Sequence, residues 1–289
     1  MAPGNHARQK PRISVLMSVL APNPDFLRAA VESVLTQTEA DLELIVLEDP
    51  SDQPAAPVLA EFTDDRLRHE QNPKRVSLAK SRGQTLELAR ADLVAIMDAD
   101  DIADPNRLRK QCDFLDQHTE VDVVGSQIAV MAADGTQKGY RHYPLAHDEI
   151  VVAMRRYNPL AHPTIAMRKA AVLSTGGYTE LPGGTCDDYD LWSRMAQRGH
   201  GFANLPEALL RYRLHAGSHK SRLLRQTLRD TIWIKHQYWR PQFDLGDQLR
   251  LLGERALGCL PAPLVSALFQ RMTLQPELRT AGNSTGAAG

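Results

Sequence analysis

Residues 91–118 read ADLVAIMDADDIADPNRLRKQCDFLDQH, and in them an apolar run, Leu93 to Met97, stops abruptly at Asp98-Ala99-Asp100-Asp101. Successive apolar residues with β-branched members and no polar alternation predict a strand covered on both faces, the habit of parallel sheets. Asp104 and Pro105 supply an N-cap and a first-turn proline, so a helix is expected from about Pro105 to His118. Strand, acidic loop and helix in that order place three carboxylates at the carboxyl edge of a buried strand. In open α/β sheets ligands bind at that edge.

The same alternation extends outward. Further strands are expected at Ile13–Leu20, Leu42–Leu47, Arg66–Glu70 and Val121–Val130. Between them, Asp25–Gln37 sets Phe26, Ala29, Ala30, Ser33 and Val34 on one stripe, and Leu78–Ala89 does the same with Leu78, Gly83, Leu86 and Ala89. Crossover helices between β-branched runs predict an α/β fold, a mainly parallel sheet flanked by helices. Beyond the Asp134-Gly135 turn the pattern is mixed: a helix near His147–Arg156, a strand near Thr164–Met167, a Gly-rich break over Gly176–Gly184 and a helix over Asp187–Arg198. The expected organisation is a core over 12–216 whose halves meet near 130, a helical appendage over 217–279, and unstructured ends at 1–11 and 280–289.

Composition narrows the function classes. Of 289 residues, 43% are apolar and 24% charged, which excludes whole-chain disorder, and 34 basic against 35 acidic residues leave a net charge of −1 with no pull toward nucleic acid. Cys112, Cys186 and Cys259 are widely spaced and form neither a disulfide framework nor a zinc ribbon. The first ten residues lack the apolar run of a signal peptide, and Leu257 to Phe269 is too short and proline-broken to span a bilayer, so a cytoplasmic protein is expected.

Two acidic clusters carry the chemistry. Carboxylates as close as Asp98, Asp100 and Asp101 suit a hard divalent cation, although such a loop also serves as a solvated helix cap. The second cluster, Asp187-Asp188-Tyr189-Asp190, opens a helix, where acids complement the helix dipole and where one of them could accept a proton. There is no G-x-x-x-x-G-K-[ST] loop and no G-x-G-x-x-G after a strand, which argues against P-loop and dinucleotide chemistry.

Several blocks together resemble the family 2 glycosyltransferases: ISVLMSV, SVLTQTEADLELIVLED, MDADDIADPNRLRKQCDFL with VDVVGS, NPLAHPTIAMRKAAVLSTGGY, DDYDLWSRMAQRG and FANLPEALLRYRLH, in order across residues 12–216. The resemblance implies a GT-A fold and transfer of a sugar from a nucleotide-diphospho-sugar, with a UDP-sugar favoured, to a saccharide or lipid-linked hydroxyl. Implied on the nucleotide-sugar are Ser18, Asp49, Lys80, Asp98 and Arg213; on Mn²⁺ or Mg²⁺, Asp98, Asp100 and His215. Asp188 with Asp187 would supply the general base, and His162 would line the acceptor side. Asp101 and Asp190 are expected to stabilise the structure.

The departures from the family lie in the donor half. Leu20-Ala21 stand where an aromatic residue and Asn are usual, Glu48-Asp49-Pro50-Ser51 replaces Asp-Asp-Gly-Ser, and Lys80-Ser81 replaces an Arg-Asn pair. The Gln-x-x-Arg-Trp signature of processive synthases is missing, which favours single additions. Alternatives are a nucleotidyltransferase on a related fold and a non-catalytic nucleotide-sugar-binding scaffold. Six basic residues (Lys220, Arg222, Arg225, Arg229, Lys235, Arg240) among Leu224, Leu228, Ile232, Trp233 and Trp239 form either a basic face for an anionic membrane or an ordinary helix packed on the core.

Overall fold

The computed structural model describes residues 10–215, 223–258 and 260–278. Nine strands share one sheet in the order β3-β2-β1-β4-β8-β6-β9-β5, with β7 paired to β6. The strands are β1 (Ile13–Val19), β2 (Leu42–Glu48), β3 (Leu67–Gln71), β4 (Leu93–Ile96), β5 (Ile102–Ala103), β6 (Val123–Ala132), β7 (Gln137–Arg141), β8 (Ala166–Arg168) and β9 (Phe202–Leu214). The first four form a parallel half, with Ile13 opposite both Leu42 and Leu93. β8 runs antiparallel between β4 and β6, and β6 pairs β9 in parallel.

Both faces of β1 are buried, and the period of two divides its side chains between two layers. Ile13, Val15 and Met17 pack with Leu27, Val31, Leu108 and Leu115 of α1 (Pro24–Leu35) and α4 (Arg107–Gln117). Leu16 on the other face packs in a core with Leu86, Ile150, Val172 and Trp192, contributed by α3 (Leu78–Leu88), α5 (His147–Met154), α6 (Lys169–Ser174) and α7 (Asp187–Gln197). A single turn, α2 (Ala56–Leu59), follows β2. C-terminal to the sheet lie α8 (Leu224–Ile234), α9 (Leu245–Leu257) and α10 (Ala262–Thr273).

Several local expectations need correction. α1 buries Leu27, Ala30, Val31 and Val34, which turns Phe26 away from the core. α4 begins at Arg107 because the Asp104 carboxylate accepts the Asn106 N–H and Arg107 N–H closes a three-residue turn on the Asp104 carbonyl. His162–Thr164 form a 3₁₀ turn, so the strand there starts only at Ala166. The longest strand, β9, was not foreseen, since Pro206, Glu207, Arg211 and Arg213 break its apolar alternation and its register with β6 shifts twice.

The C-terminal helices are anchored to α7. Trp239 is 1% exposed and donates its indole N–H to Ser193 Oγ at 3.0 Å. Lys235 is also buried, ion-paired with Glu254 at 2.6 Å. Of the two alternatives for this segment, their burial fits the helix packed on the core; Arg225, Arg229 and Arg240 are exposed, while Lys220 and Arg222 lie outside the described residues. Cys259 and the tail 280–289 lie outside them as well. No helix among the described residues is long and apolar enough to cross a membrane.

Candidate active site

Parallel pairing brings the carboxyl ends of β1, β2 and β4 to one edge. Asp49, just past β2 and 4% exposed, accepts hydrogen bonds from Asn72 Nδ2 at 2.7 Å and from Val76 N–H at 3.2 Å. Ser18 at the end of β1 shares a 3.0 Å hydrogen bond with Thr85 of α3. Ser18 and Thr85 line a recess together with Leu16, Leu78, Arg82, Ile96, Met97 and Asp98. Polar residues at buried positions of α3, Ser81 and Thr85, explain why its apolar stripe is weak: this helix faces the site as well as the core.

The loop after β4 is tied down by β9. Asp101 Oδ1 accepts the Arg213 N–H at 2.8 Å, and the Asp100 carbonyl accepts Arg213 Nε at 2.8 Å. Arg213 also donates to the Ala133 carbonyl at 2.8 Å and lies 4.3 Å over the Phe26 ring, so its cation sits buried beside the acidic loop. His215 Nε2 meets Asp100 Oδ2 at 2.7 Å, with Phe26 edge-on to its ring.

Asp98, Asp100 and Asp101 each offer an oxygen within 4.8 Å of the others. Asp101 Oδ2 is buried with no hydrogen-bond partner, and Asp101 is 0% exposed. Desolvation, then repulsion from Asp100 and Asp98, hold its carboxyl well above the usual range. Three converging hard oxygens, one of them unpartnered, fit a divalent cation. Asp101 thus stabilises the loop through one oxygen and belongs to the carboxylate group through the other.

The second cluster faces the first. Arg82 of α3 gives one nitrogen to both oxygens of Asp187, at 2.7 and 2.8 Å, an ion pair whose side chains are 14% and 8% exposed. Asp188 accepts from Asn158 Nδ2 at 2.8 Å. Desolvation pushes Asp98 up to about 6; Arg82 opposes the shift, while Asp100, Asp188 and Asp187 add to it. Charges on both clusters therefore act on one carboxylate. Asp190, one turn into α7, accepts hydrogen bonds from Thr179, Arg194 and Tyr238.

His162 is 5% exposed and bonds the Tyr178 hydroxyl through Nε2 at 2.9 Å. Burial, reinforced by Arg82 and Arg107, holds it well below its ordinary value, so it is neutral. Lys80 lies exposed on the first turn of α3; the cation that meets the carboxylates is Arg82, two residues on. Arg82 carries no motif of its own, and only the pairing of α3 with α7 identifies it. The same is true of Asp230 on α8, buried and accepting hydrogen bonds from Gly183 N–H, Thr185 N–H and Thr185 Oγ. A Cβ on Gly183 would stand 2.6 Å from an Asp230 oxygen, so the loop leading into Asp187 is locked against the C-terminal helices.

The chain is similar to known proteins in both sequence and fold. The Glycosyl transferase family 2 profile matches residues 14–177, ending before the α7 acids. An uncharacterized glycosyltransferase of Haemophilus influenzae is 35% identical over 210 residues, 71% of this chain and 77% of its own. The amylovoran biosynthesis glycosyltransferase AmsE of Erwinia amylovora is 32% identical over 208 residues, 71% of this chain and 76% of its own. Among solved structures, Staphylococcus aureus TarS with UDP-GlcNAc superposes with a TM-score of 0.59 at 15% identity, covering 89% of this chain and 83% of that one. The mannosyltransferase PcManGT of Pyrobaculum calidifontis with GDP-Man and Mn²⁺ gives 0.58 at 16%, covering 92% and 81%. The fold is GT-A, and the chain belongs to glycosyl transferase family 2.

Proposed function

We propose that this glycosyltransferase moves a sugar from a nucleotide-diphospho-sugar, a UDP-sugar by preference, to a saccharide or lipid-linked hydroxyl in one inverting displacement. A cytoplasmic setting and a role in cell-envelope polysaccharide or glycolipid assembly complete the reading. The observation that carries it is the pair of carboxylate clusters coupled through Arg82 and Asp98, both of which line the recess. Relatives named for polysaccharide biosynthesis and fold neighbours holding UDP-GlcNAc or GDP-Man support it.

In this reading Asp49 receives the nucleotide base, Ser18, Lys80 and Asp98 the ribose and diphosphate, and Arg213 adds positive charge beside them. Asp98 and Asp100, with Asp101 adjacent and His215 orienting Asp100, would hold Mn²⁺ or Mg²⁺. When bound, that cation compensates charge on the leaving diphosphate. Asp188, oriented by Asn158, accepts the acceptor's hydroxyl proton as the new bond to the anomeric carbon forms. The electron pair of the broken bond leaves with the nucleoside diphosphate. Asp187, held by Arg82, fixes the start of α7, and neutral His162 lines the acceptor side.

Calorimetry with UDP, GDP, dTDP and CMP, each with Mn²⁺ and with EDTA, tests the donor half. Metal-dependent binding of one nucleotide, lost in Asp100→Ala, is expected; no binding by any of them would favour a scaffold. Asp188→Asn should keep nucleotide binding and lose about 10²- to 10⁴-fold in turnover. Unchanged turnover would overturn the base assignment and favour attack on phosphorus, as in a nucleotidyltransferase.

A further inference from the structure

Among the described residues, α9 buries one side and leaves the opposite side bare. Asp247 and Leu251 face the protein, Asp247 bonding Arg156 at 2.5 Å, and Glu254 bonds the buried Lys235. At 3.6 residues per turn, Leu245, Leu249 and Leu252 fall together on the other side, and they are 71%, 60% and 58% exposed. A capping box, Asp244 with Asp247, holds the first turn, so these leucines stand on a formed helix.

Exposed charge around the stripe is mainly basic. Exposed Arg250 and Arg255 flank it on its two sides, Arg250 bonding Glu254 at 3.2 Å; Asp247 is buried, Glu254 also holds Lys235, and the exposed Asp244 is paired with Arg156 at 3.3 Å. An apolar outer face with arginine margins matches a helix lying in a membrane interface. Exposed arginines outnumber exposed acids along this face, which favours an anionic layer.

The stripe also has a connection to the site. Arg156 binds the α9 cap, Arg250 lies 6.0 Å over the ring of half-exposed Tyr157, and Asn158 donates to Asp188. Three consecutive residues thus run from α9 to the candidate base. We propose that the outer face of α9 rests on an anionic membrane surface and so presents the Asp188 side of the site to a lipid-linked acceptor. The acceptor's identity rests on the function proposed above, whereas the docking itself does not.

The test is co-sedimentation of the full chain with vesicles of phosphatidylglycerol mixed with phosphatidylcholine, and with phosphatidylcholine alone. Binding to the anionic vesicles, weakened by salt, is expected, with a loss of at least about tenfold in Leu249→Gln/Leu252→Gln. Turnover of that variant on a water-soluble acceptor should equal the wild type's, which shows that it folds. Arg250→Gln/Arg255→Gln should selectively lose the preference for anionic vesicles. Absent vesicle binding, or equal binding by the leucine variant, overturns the proposal. So does a wild-type dimer that becomes a monomer in the leucine variant, since the face then belongs to a second copy. Asp188→Asn assayed in parallel separates the two readings: full activity there removes the base and leaves vesicle binding unaffected.

Discussion

Arg82 is a cation shared by the two acidic clusters, reaching Asp187 directly and acting on Asp98 through its field. Removing one partner of a buried ion pair leaves the other charge uncompensated, which costs more than the pair itself contributes. Arg82→Met is therefore expected to lower turnover by roughly tenfold to a hundredfold, with a smaller loss in Arg82→Lys, because an ammonium restores charge without the guanidinium's planar shape. Steady-state kinetics on both variants, with melting curves to separate loss of fold, check this. The sequence directs attention to Lys80 two positions earlier, because a motif comparison weighs a residue by its place in a pattern. Which cation meets the carboxylates depends on the rotation of α3 about its axis, set by packing of Leu86 and Ala79.

At the scale of elements, β2 shows how a sheet buries acids without losing its register. Glu43 is 1% exposed and is met by Ser14 of β1 at 2.6 Å, Arg68 of β3 at 3.0 Å and Arg90 at 2.8 Å. Burial would raise its carboxyl, but the bonds from Ser14, the Arg90 N–H and both arginines outweigh it and hold the group below its usual range. A carboxyl lowered on folding contributes stability above its unfolded value and loses it as pH falls through the folded one. Melting curves should thus fall off on the acid side, and Glu43→Gln should flatten that slope while costing about 2 kcal/mol near neutrality. Asp230 does similar work between elements: Asp230→Ala leaves two loop N–H groups and the Thr185 hydroxyl unpaired. It is expected to cost about 2 kcal/mol and to reduce turnover without changing nucleotide affinity, measured by denaturation and calorimetry.

For the whole molecule, the C-terminal helices are part of the core around α7. Trp239, nearly fully buried against Ser193, joins Ile234 in the same cluster as Trp192 and Leu191. Trp239→Ala should destabilise the protein by about 3 to 5 kcal/mol, read from the denaturation midpoint. A stability change well below that would mean that these helices pack loosely on the catalytic half.

Unlike the two-residue β5 and the single turn α2, the strands β1 to β4 and β6 with the helices α1, α3 and α4, the acids at the ends of β2 and β4, and the acidic opening of α7 were legible in the chain itself. Each rests on local periodicity or on residues a few positions apart, and a strand buried on both faces declares itself as an unbroken apolar run. β9 did not, because its neighbours β6 and β5 satisfy its backbone whatever its side chains alternate. Arg82 with Asp187, Arg213 with the acidic loop, Asp230 with the Gly-rich turn and the bare face of α9 were decided only by the tertiary structure. In the first three, the partners lie 45 or more positions apart. For the last, one side of an amphipathic helix is apolar in any sequence, and only packing determines whether that side is covered.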